Sequence, residues 1–321
     1  MSAGPALLAA AGALGDRCRR DHPLGPLTTY RVGGPAALFL PVDGERDLVL
    51  AAEAVTAGDV ATLVVGKGSN LLVADAGFPG LALSLGPAFA TIELDGTTVR
   101  AGGAADLPVL ARRTAAEGLC GLEWAVGVPG SVGGGVRMNA GGHGSDIAAR
   151  LVRVRLFDLA TGKDDVVAAG ALDLGYRRSA ITSTRVVLWA EFRLDRGDAT
   201  AAQAEVSSIV AWRREHQPGG RNAGSVFTNP AGDSAGRLVD VAGCRGLRRG
   251  TAEVSNKHAN FVQSAPGGSA DDVAALVVEV QRRVLEVTGA HLEPEVRMVG
   301  FAPASAAPSY PSPGRLSGGR R

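Results

Sequence analysis

Cysteine is scarce. Cys18, Cys120 and Cys244 are the only three in 321 residues, too scattered for a disulfide framework or a CxxC metal pattern. A reducing compartment, the cytoplasm, is therefore expected. Charge of one sign is missing too. The 33 Lys and Arg side chains offset 32 Asp and Glu, and no basic stripe is interleaved with aromatics, which argues against a nucleic-acid partner and for a small-molecule one. No stretch reaches the ~18 consecutive apolar residues of a membrane span. The apolar run GPALLAAAGALG near the start has no positive residue before it, and Arg17, Arg19 and Arg20 come after it. It reads as a short helix or frayed arm and not as a secretory signal.

Glycine is the residue in excess. Its 45 copies are about twice the usual share of ~7%, clustered and not periodic, so they mark tight turns and not a collagen-like or repeat chain. With 45% hydrophobic residues the chain can bury a core and divide into two or three domains. From Thr28 the pattern gives an extended AALFLPV, a helix at about 45–57, and an apolar strand ATLVVG running into GKGSN. TIEL and TTVRAG flank Asp95-Gly96, a hairpin signal with positive φ tolerated at both turn positions. A helix at about 106–117 stops at Gly118. Strands LVRVRLFD and VVLWAEFRL follow the glycine-rich segment 127–144. In the second of them alternation puts Val186, Leu188, Ala190, Phe192 and Leu194 on one face. The composition shifts at Gly197, where DATAAQAEVSSIVAWRREH reads as a helix and HANFV as a short strand. A helix over 270–288 has Ser269 and Asp272 as a capping pair and Gly289 at its end. The Pro/Ser/Gly-rich tail 301–321 is expected to be disordered.

Two glycine segments can hold a ligand. VVGKGSN offers successive backbone N–H groups in a nest suited to a pyrophosphate, although a plain tight turn explains it equally. It is not a P-loop, because the lysine lies between the glycines. AVGVPGSVGGGVRMNAGGHG, residues 125–144, would carry a large entropic cost unless its backbone needs unusual dihedrals or approaches a ligand closely. It also carries Val128, Val132, Val136 and Met138, which a solvated linker would not need. Its spacing differs from the dinucleotide GxGxxG.

GKGSN, GVPGSVGGGVRMNAGG, GYRRS, NAGSVFTNP and LEPEVR, in this order and at these separations, resemble the MurB family, the UDP-N-acetylenolpyruvoylglucosamine reductases of peptidoglycan precursor synthesis. The likeness covers about residues 28–300, and TTYRVGG at 28–34 resembles the start of the family's FAD-binding domain. It implies an α+β chain: an FAD-binding domain of the vanillyl-alcohol-oxidase (PCMH) type in two subdomains over 28–195, an α+β substrate-binding domain over 196–300, an arm over 1–27 and the tail. By resemblance, Gly66, Lys67, Gly68, Ser69 and Asn70 hold the FAD pyrophosphate. Gly127, Pro129, Gly130, Ser131 and Gly133, with Asn139, Ala140 and Gly141, line the rest of the cofactor. FAD is expected to be noncovalent, since no Cys or His sits in an attachment context, and NADPH is the reducing co-substrate. A monomer is expected.

The reaction implied, reduction of UDP-N-acetylglucosamine enolpyruvate to UDP-N-acetylmuramate, passes through an enolate-like carboxylate dianion. It needs a fixed cation at the carboxylate and a proton donor near the α carbon. Arg177 of GYRRS matches the cation, able to grip a carboxylate through two parallel bonds, with Arg178 pointing the other way along a strand. Glu295 of LEPEVR matches the catalytic glutamate and would have to be protonated or linked through water, which calls for a raised pKa. Glu293, across Pro294, is the decoy. Ser225 of NAGSVF matches the proton donor. No base lies near it in sequence except His216 and His258, and the GxSxG elbow is absent, so a nucleophile is disfavoured. Asn229, Lys257, His258 and Asn260 lie in segments that form the UDP-sugar site in the family, with capping or loop satisfaction an equal reading of each. Two departures stand out: Thr228 replaces a common lysine, and GGHG replaces a small-then-tyrosine ending. Only 47 residues separate Arg177 from Ser225, as in the shorter family type that lacks an inserted tyrosine-bearing loop. Rival readings are an FAD-dependent oxidase of the same fold and an inactive nucleotide-sugar binding paralogue.

Overall fold

A computed structural model describes residues 4–301. Except for Phe301, the expected tail lies outside the described residues. Seven α-helices occur among them: α1 Pro5–Leu14, α2 Glu45–Gly58, α3 Leu107–Ala116, α4 Val132–Met138, α5 Ala199–His216, α6 Ala235–Val241 and α7 Ala270–Thr288. None is long and apolar enough to cross a membrane.

The first sheet orders its strands Arg19–Pro23, Pro35–Val42, Phe78–Leu85, Thr62–Val64. The last three run parallel and the first is antiparallel to its neighbour. α1 and α2 cover one face through Ala10, Leu14, Leu48 and Ala51. The expected arm is thus part of this layer, because Arg19–Pro23 supplies the edge strand.

The second sheet is a five-stranded antiparallel layer ordered Lys163–Ala168, Leu151–Asp158, Arg185–Arg193, Thr98–Gly102, Ile92–Asp95. The hairpin forms as expected, with Asp95 paired to Thr98. Its two-residue turn is therefore Gly96-Thr97, and only Gly96 takes positive φ. The single-face reading of VVLWAEFRL fails. Pairing shifts between Arg155 opposite Trp189 and Leu156 opposite Val187, which leaves Leu188 as an extra bulged residue. A bulge reverses the alternation. Val186 and Leu188 join the core under α1 and α2, while Val187, Ala190, Phe192 and Leu194 join the core of the second subdomain.

α5 was expected in the substrate domain. Its inward face instead places Ala202, Val206 and Ile209 in that second core, beside Leu107, Leu110 and Trp124. The third unit is therefore shorter. The sheet Arg248–Arg249, Ala252–Val254, Val262–Ser264 packs with α6 and α7, and His258–Phe261, expected as strand, is the turn leading into it. α7 forms as the sequence predicts: Ser269 Oγ accepts from Asp272 N, and Gly289 closes the helix at φ +70°.

Two links tie this unit back to the first. Arg297–Val299 adds in parallel to Leu71–Val73, and Asp75 caps α7 by accepting from Ser269 Oγ, Ala270 N and Asp271 N. Tyr30 and Val32 of TTYRVGG are buried in the third unit's core. This segment therefore joins the two units and does not merely start the first.

Candidate active site

A cleft of about 350 Å³ opens where the three units meet. One wall is main chain. The strand Thr62–Val64 delivers the turn 66–70, and the loop before α4 faces it, so that a Cβ on Gly66 would lie 2.5 Å from Ser131 Oγ. Ser131 is buried and its hydroxyl accepts from Gly134 N, capping α4. Gly68 sits at φ +60°, and a Cβ there would overlap the Leu27 carbonyl, so only glycine fits. Among the described residues the amides of Gly66 to Asn70 donate to no main-chain carbonyl. Five successive free N–H groups on a cleft wall form a nest for an anion. Lys67 Nζ lies 2.5 Å from Asp106 Oδ1 and ties the turn to the start of α3.

The opposite wall is built of side chains. The segment after Ser225 pairs with the segment around Pro294: Glu295 N donates to Val226 O at 2.7 Å and Thr228 N to Glu293 O at 2.9 Å. Buried Asn260 holds the same segment from the other side, accepting from Phe227 N and donating to Phe227 O. Asn70 locks the walls together. Its Nδ2 donates to Glu295 O and its carbonyl accepts from Arg297 N.

Arg177, Ser225 and Glu295 all line this cleft. Arg177 Nε lies 2.7 Å from Glu295 Oε1, with side-chain exposures of 21% and 17%. The Nε–H is not directed at that oxygen and finds no hydrogen-bond acceptor, so the contact is an ion pair and not a formed hydrogen bond. Arg177 Nη2 donates to Gly141 O at 2.9 Å. Burial pushes the Glu295 carboxyl above its ordinary range, only partly opposed by Arg177. GYRRS is a turn and not a strand. Gly175 and Arg178 bridge each other, and Arg177 between them sits at φ +56°, a strained conformation of the kind that gathers at functional sites. Arg178 turns outward to Asp173, and Glu293 is exposed.

Most of the other expected cofactor residues line the cleft: Gly66 to Asn70, Gly127, Pro129, Gly130, Ser131, Ala140 and Gly141. Gly133 lines a smaller adjoining cavity of about 130 Å³. Asn139 lines neither. Buried, it donates to Asp146 and to Gly175 O and accepts from Ala148 N, so it fixes the turn that carries Arg177. The expected substrate residues are not on the cleft lining, and each has a bond within the fold. Asn229 Oδ1 accepts from Ala235 N at the start of α6, Lys257 Nζ donates to Arg214 O at the end of α5, and His258 Nδ1 accepts from Asn260 N.

Residues 216–299 match the family described as UDP-N-acetylenolpyruvoylglucosamine reductase, C-terminal domain, and residues 35–164 match the family described as FAD binding domain. The chain is 44% identical to the UDP-N-acetylenolpyruvoylglucosamine reductase of Paramagnetospirillum magneticum over 88% of its own length and 91% of the relative's. It is 40% identical to that of Rubrobacter xylanophilus over 87% and 94%. The chain belongs to the UDP-N-acetylenolpyruvoylglucosamine reductase (MurB) family. The crystal structure of MurB from Thermus caldophilus superimposes with a TM-score of 0.77 at 35% identity, covering 88% of this chain and 99% of that one.

Within this MurB chain the structure also brings forward residues that the motifs did not single out. Arg137, Arg213, Gln217 and Arg297 line the cleft. Burial lowers the pKa of Arg137, with Arg297 adding to the effect, and burial alone lowers that of Arg213. The helical period of α5 offers a signal for one of them, since Arg213 continues the inward series 202, 206, 209.

Proposed function

We propose that the chain reduces UDP-N-acetylglucosamine enolpyruvate to UDP-N-acetylmuramate, with NADPH as reductant and noncovalent FAD as carrier. The observation that carries this reading is the meeting of Arg177, Ser225 and a Glu295 of raised pKa across one cleft from a nest of free amides. The amides of Gly66 to Asn70 suit the FAD pyrophosphate, and the glycine-rich segment 127–135, the loop before α4 and its first turn, lets a flat ring system approach main chain. FAD bound there would supply hydride chemistry, with NADPH as its reductant.

The rest of the work falls to the chain's own side chains. Arg177, permanently charged, grips the substrate carboxylate and stabilises the second negative charge that develops as the enolate forms. Glu295 in its protonated form can donate a hydrogen bond to that same carboxylate, where an ionised glutamate would repel it. Ser225 Oγ–H delivers the proton to the α carbon. The two histidines near it in sequence are engaged elsewhere, His258 with Asn260 and His216 with Trp212.

The test is spectroscopic. Purified protein is expected to be yellow, to bleach with NADPH under anaerobic conditions and to recover its colour when the enolpyruvate substrate is added. Colourless protein that takes up no FAD, or bleached protein that the substrate leaves unchanged, would overturn the proposal.

A further inference from the structure

Three aromatic rings stand together beside the cleft-lining residues Gly141, Arg213 and Gln217 in the chain. Trp212 stacks on His216, with ring centroids 4.7 Å apart and planes 13° apart. His143 meets the indole edge-on at 5.1 Å and 87°. His216 Nδ1 lies 2.8 Å from the Trp212 carbonyl, which holds that imidazole flat against the indole. The cluster is open to solvent: Trp212 is 42% exposed and both histidines are exposed. A lone surface tryptophan would need no explanation. Three rings ordered against one another on water's side of a helix, outside every core cluster of the described residues, do.

Position gives the cluster a meaning. His143 is two residues from Gly141, whose carbonyl holds Arg177. Trp212 and His216 flank Arg213 and Gln217 on the cleft lining. The inward face of α5 runs Ala202, Val206, Ile209 and reaches Arg213 where the core ends. Arg213 therefore turns into the cleft against Gly127, and Trp212, about 100° round the helix, stays exposed. Among the described residues no carboxylate forms an ion pair with Arg213, although burial already disfavours its charge. An unpaired guanidinium inside and a braced planar ring outside, one residue apart, match a phosphate and a base joined by a ribose.

We infer that Trp212, braced by His143 and His216, is a stacking platform for the base of a nucleoside diphosphate whose phosphates reach Arg213. The inference rests on the proposed function, in which both the UDP-sugar and NADPH carry such a group, and it assigns His143, at the position of the family departure, to base recognition. Stacking on an aromatic face tolerates any base, so the ligand's identity is left to measurement.

The test is isothermal titration of the FAD-loaded protein with UDP and, separately, with 2′-phospho-ADP-ribose. Variants are Trp212→Ala, Trp212→Phe and His143→Asn, the last because asparagine keeps the left-handed backbone of φ +50° found there. Trp212→Ala should weaken one or both ligands about tenfold, the scale of one lost base stack, and Trp212→Phe should recover most of it. Unchanged FAD content certifies the fold. Loss for UDP alone assigns uracil, loss for the other alone assigns adenine, and loss for both assigns a shared platform. Wild-type affinity for both in Trp212→Ala and His143→Asn overturns the inference. Failure of the wild type to bind either nucleotide overturns the functional reading itself.

Discussion

The two walls of the cleft are made of different material. The wall formed by residues 66–70 and 127–135 presents main chain, and the wall formed by Arg177, Ser225 and Glu295 presents side chains. Main-chain amides keep their donors whatever the pH, and the wall that carries them is held by glycine, so it suits a cofactor that must be bound the same way in every turnover. Side chains can be charged, neutral or displaced, so they suit the steps in which a proton moves. On the proposed function, holding and reacting fall on separate structural supports, joined chiefly through Asn70.

Substitutions should separate the two walls, and Ser225→Ala is expected to have the largest effect. Loss of a positioned proton donor costs about 10²- to 10⁴-fold. Stopped-flow traces should show flavin reduction by NADPH unchanged and reoxidation by the enolpyruvate substrate slowed on that scale. Slowing of both half-reactions would mean that the walls are not independent.

Gly68→Ala attacks the other wall. Positive φ and the Leu27 carbonyl together should cost about 1 to 3 kcal/mol, enough to open the amide nest. FAD affinity measured by fluorescence should fall by about tenfold or more, with the third unit's fold retained by circular dichroism. FAD affinity equal to wild type would show that the nest does not hold the cofactor.

Glu295→Gln sharpens the comparison through pH. The Glu295 pKa is raised in the folded protein, so its contribution to stability is present below the unfolded value and lost as pH rises through the folded value. Relative to wild type, the glutamine variant should gain melting temperature as pH rises above the ordinary carboxylate range. In wild type, reoxidation should slow over the same rise, and in the variant that slope should vanish. A melting-temperature difference independent of pH would contradict the assignment.

Asp75→Ala should have the smallest effect. It removes the extra acceptor at the start of α7, leaving Ser269 as the N-cap, and should lower stability by about 1 kcal/mol in thermal melts, with both half-reactions intact. A changed reoxidation rate would show that the position of the third unit tunes the reactive wall.

The same division explains what could be read from sequence. The main-chain wall depends on local glycine patterns: GKGSN alone reads equally as a tight turn, whereas the glycine-rich run after Gly127, with its valines, points to a ligand. α7 was legible for the same reason, with Ser269 and Gly289 marking its ends. The reactive wall was legible only through its resemblance to a family, since nothing local to Arg177, Ser225 or Glu295 shows that they meet. The misreadings came where distant contacts decide the outcome. The bulge at Leu188 reverses faces because of the register with the strand Leu151–Asp158, and α5 joins the second core because its apolar stripe fits α3. Asn139 carries a family motif, yet here it braces the Arg177 turn from behind. For Asn229, Lys257 and His258 the sequence left capping or loop satisfaction as an equal reading, and each has such a bond in the fold.

The joining of Arg297–Val299 to Leu71–Val73 bears on how the protein is made. Asn70 and Glu295 are 225 positions apart, and contacts across so long a loop form late, after their closure entropy has been offset by nearer ones. On a ribosome the first two units would emerge with Leu71–Val73, next to the turn 66–70, still lacking its partner strand. Loading with FAD is thus expected to wait for the end of synthesis, so that a prematurely terminated chain stays empty.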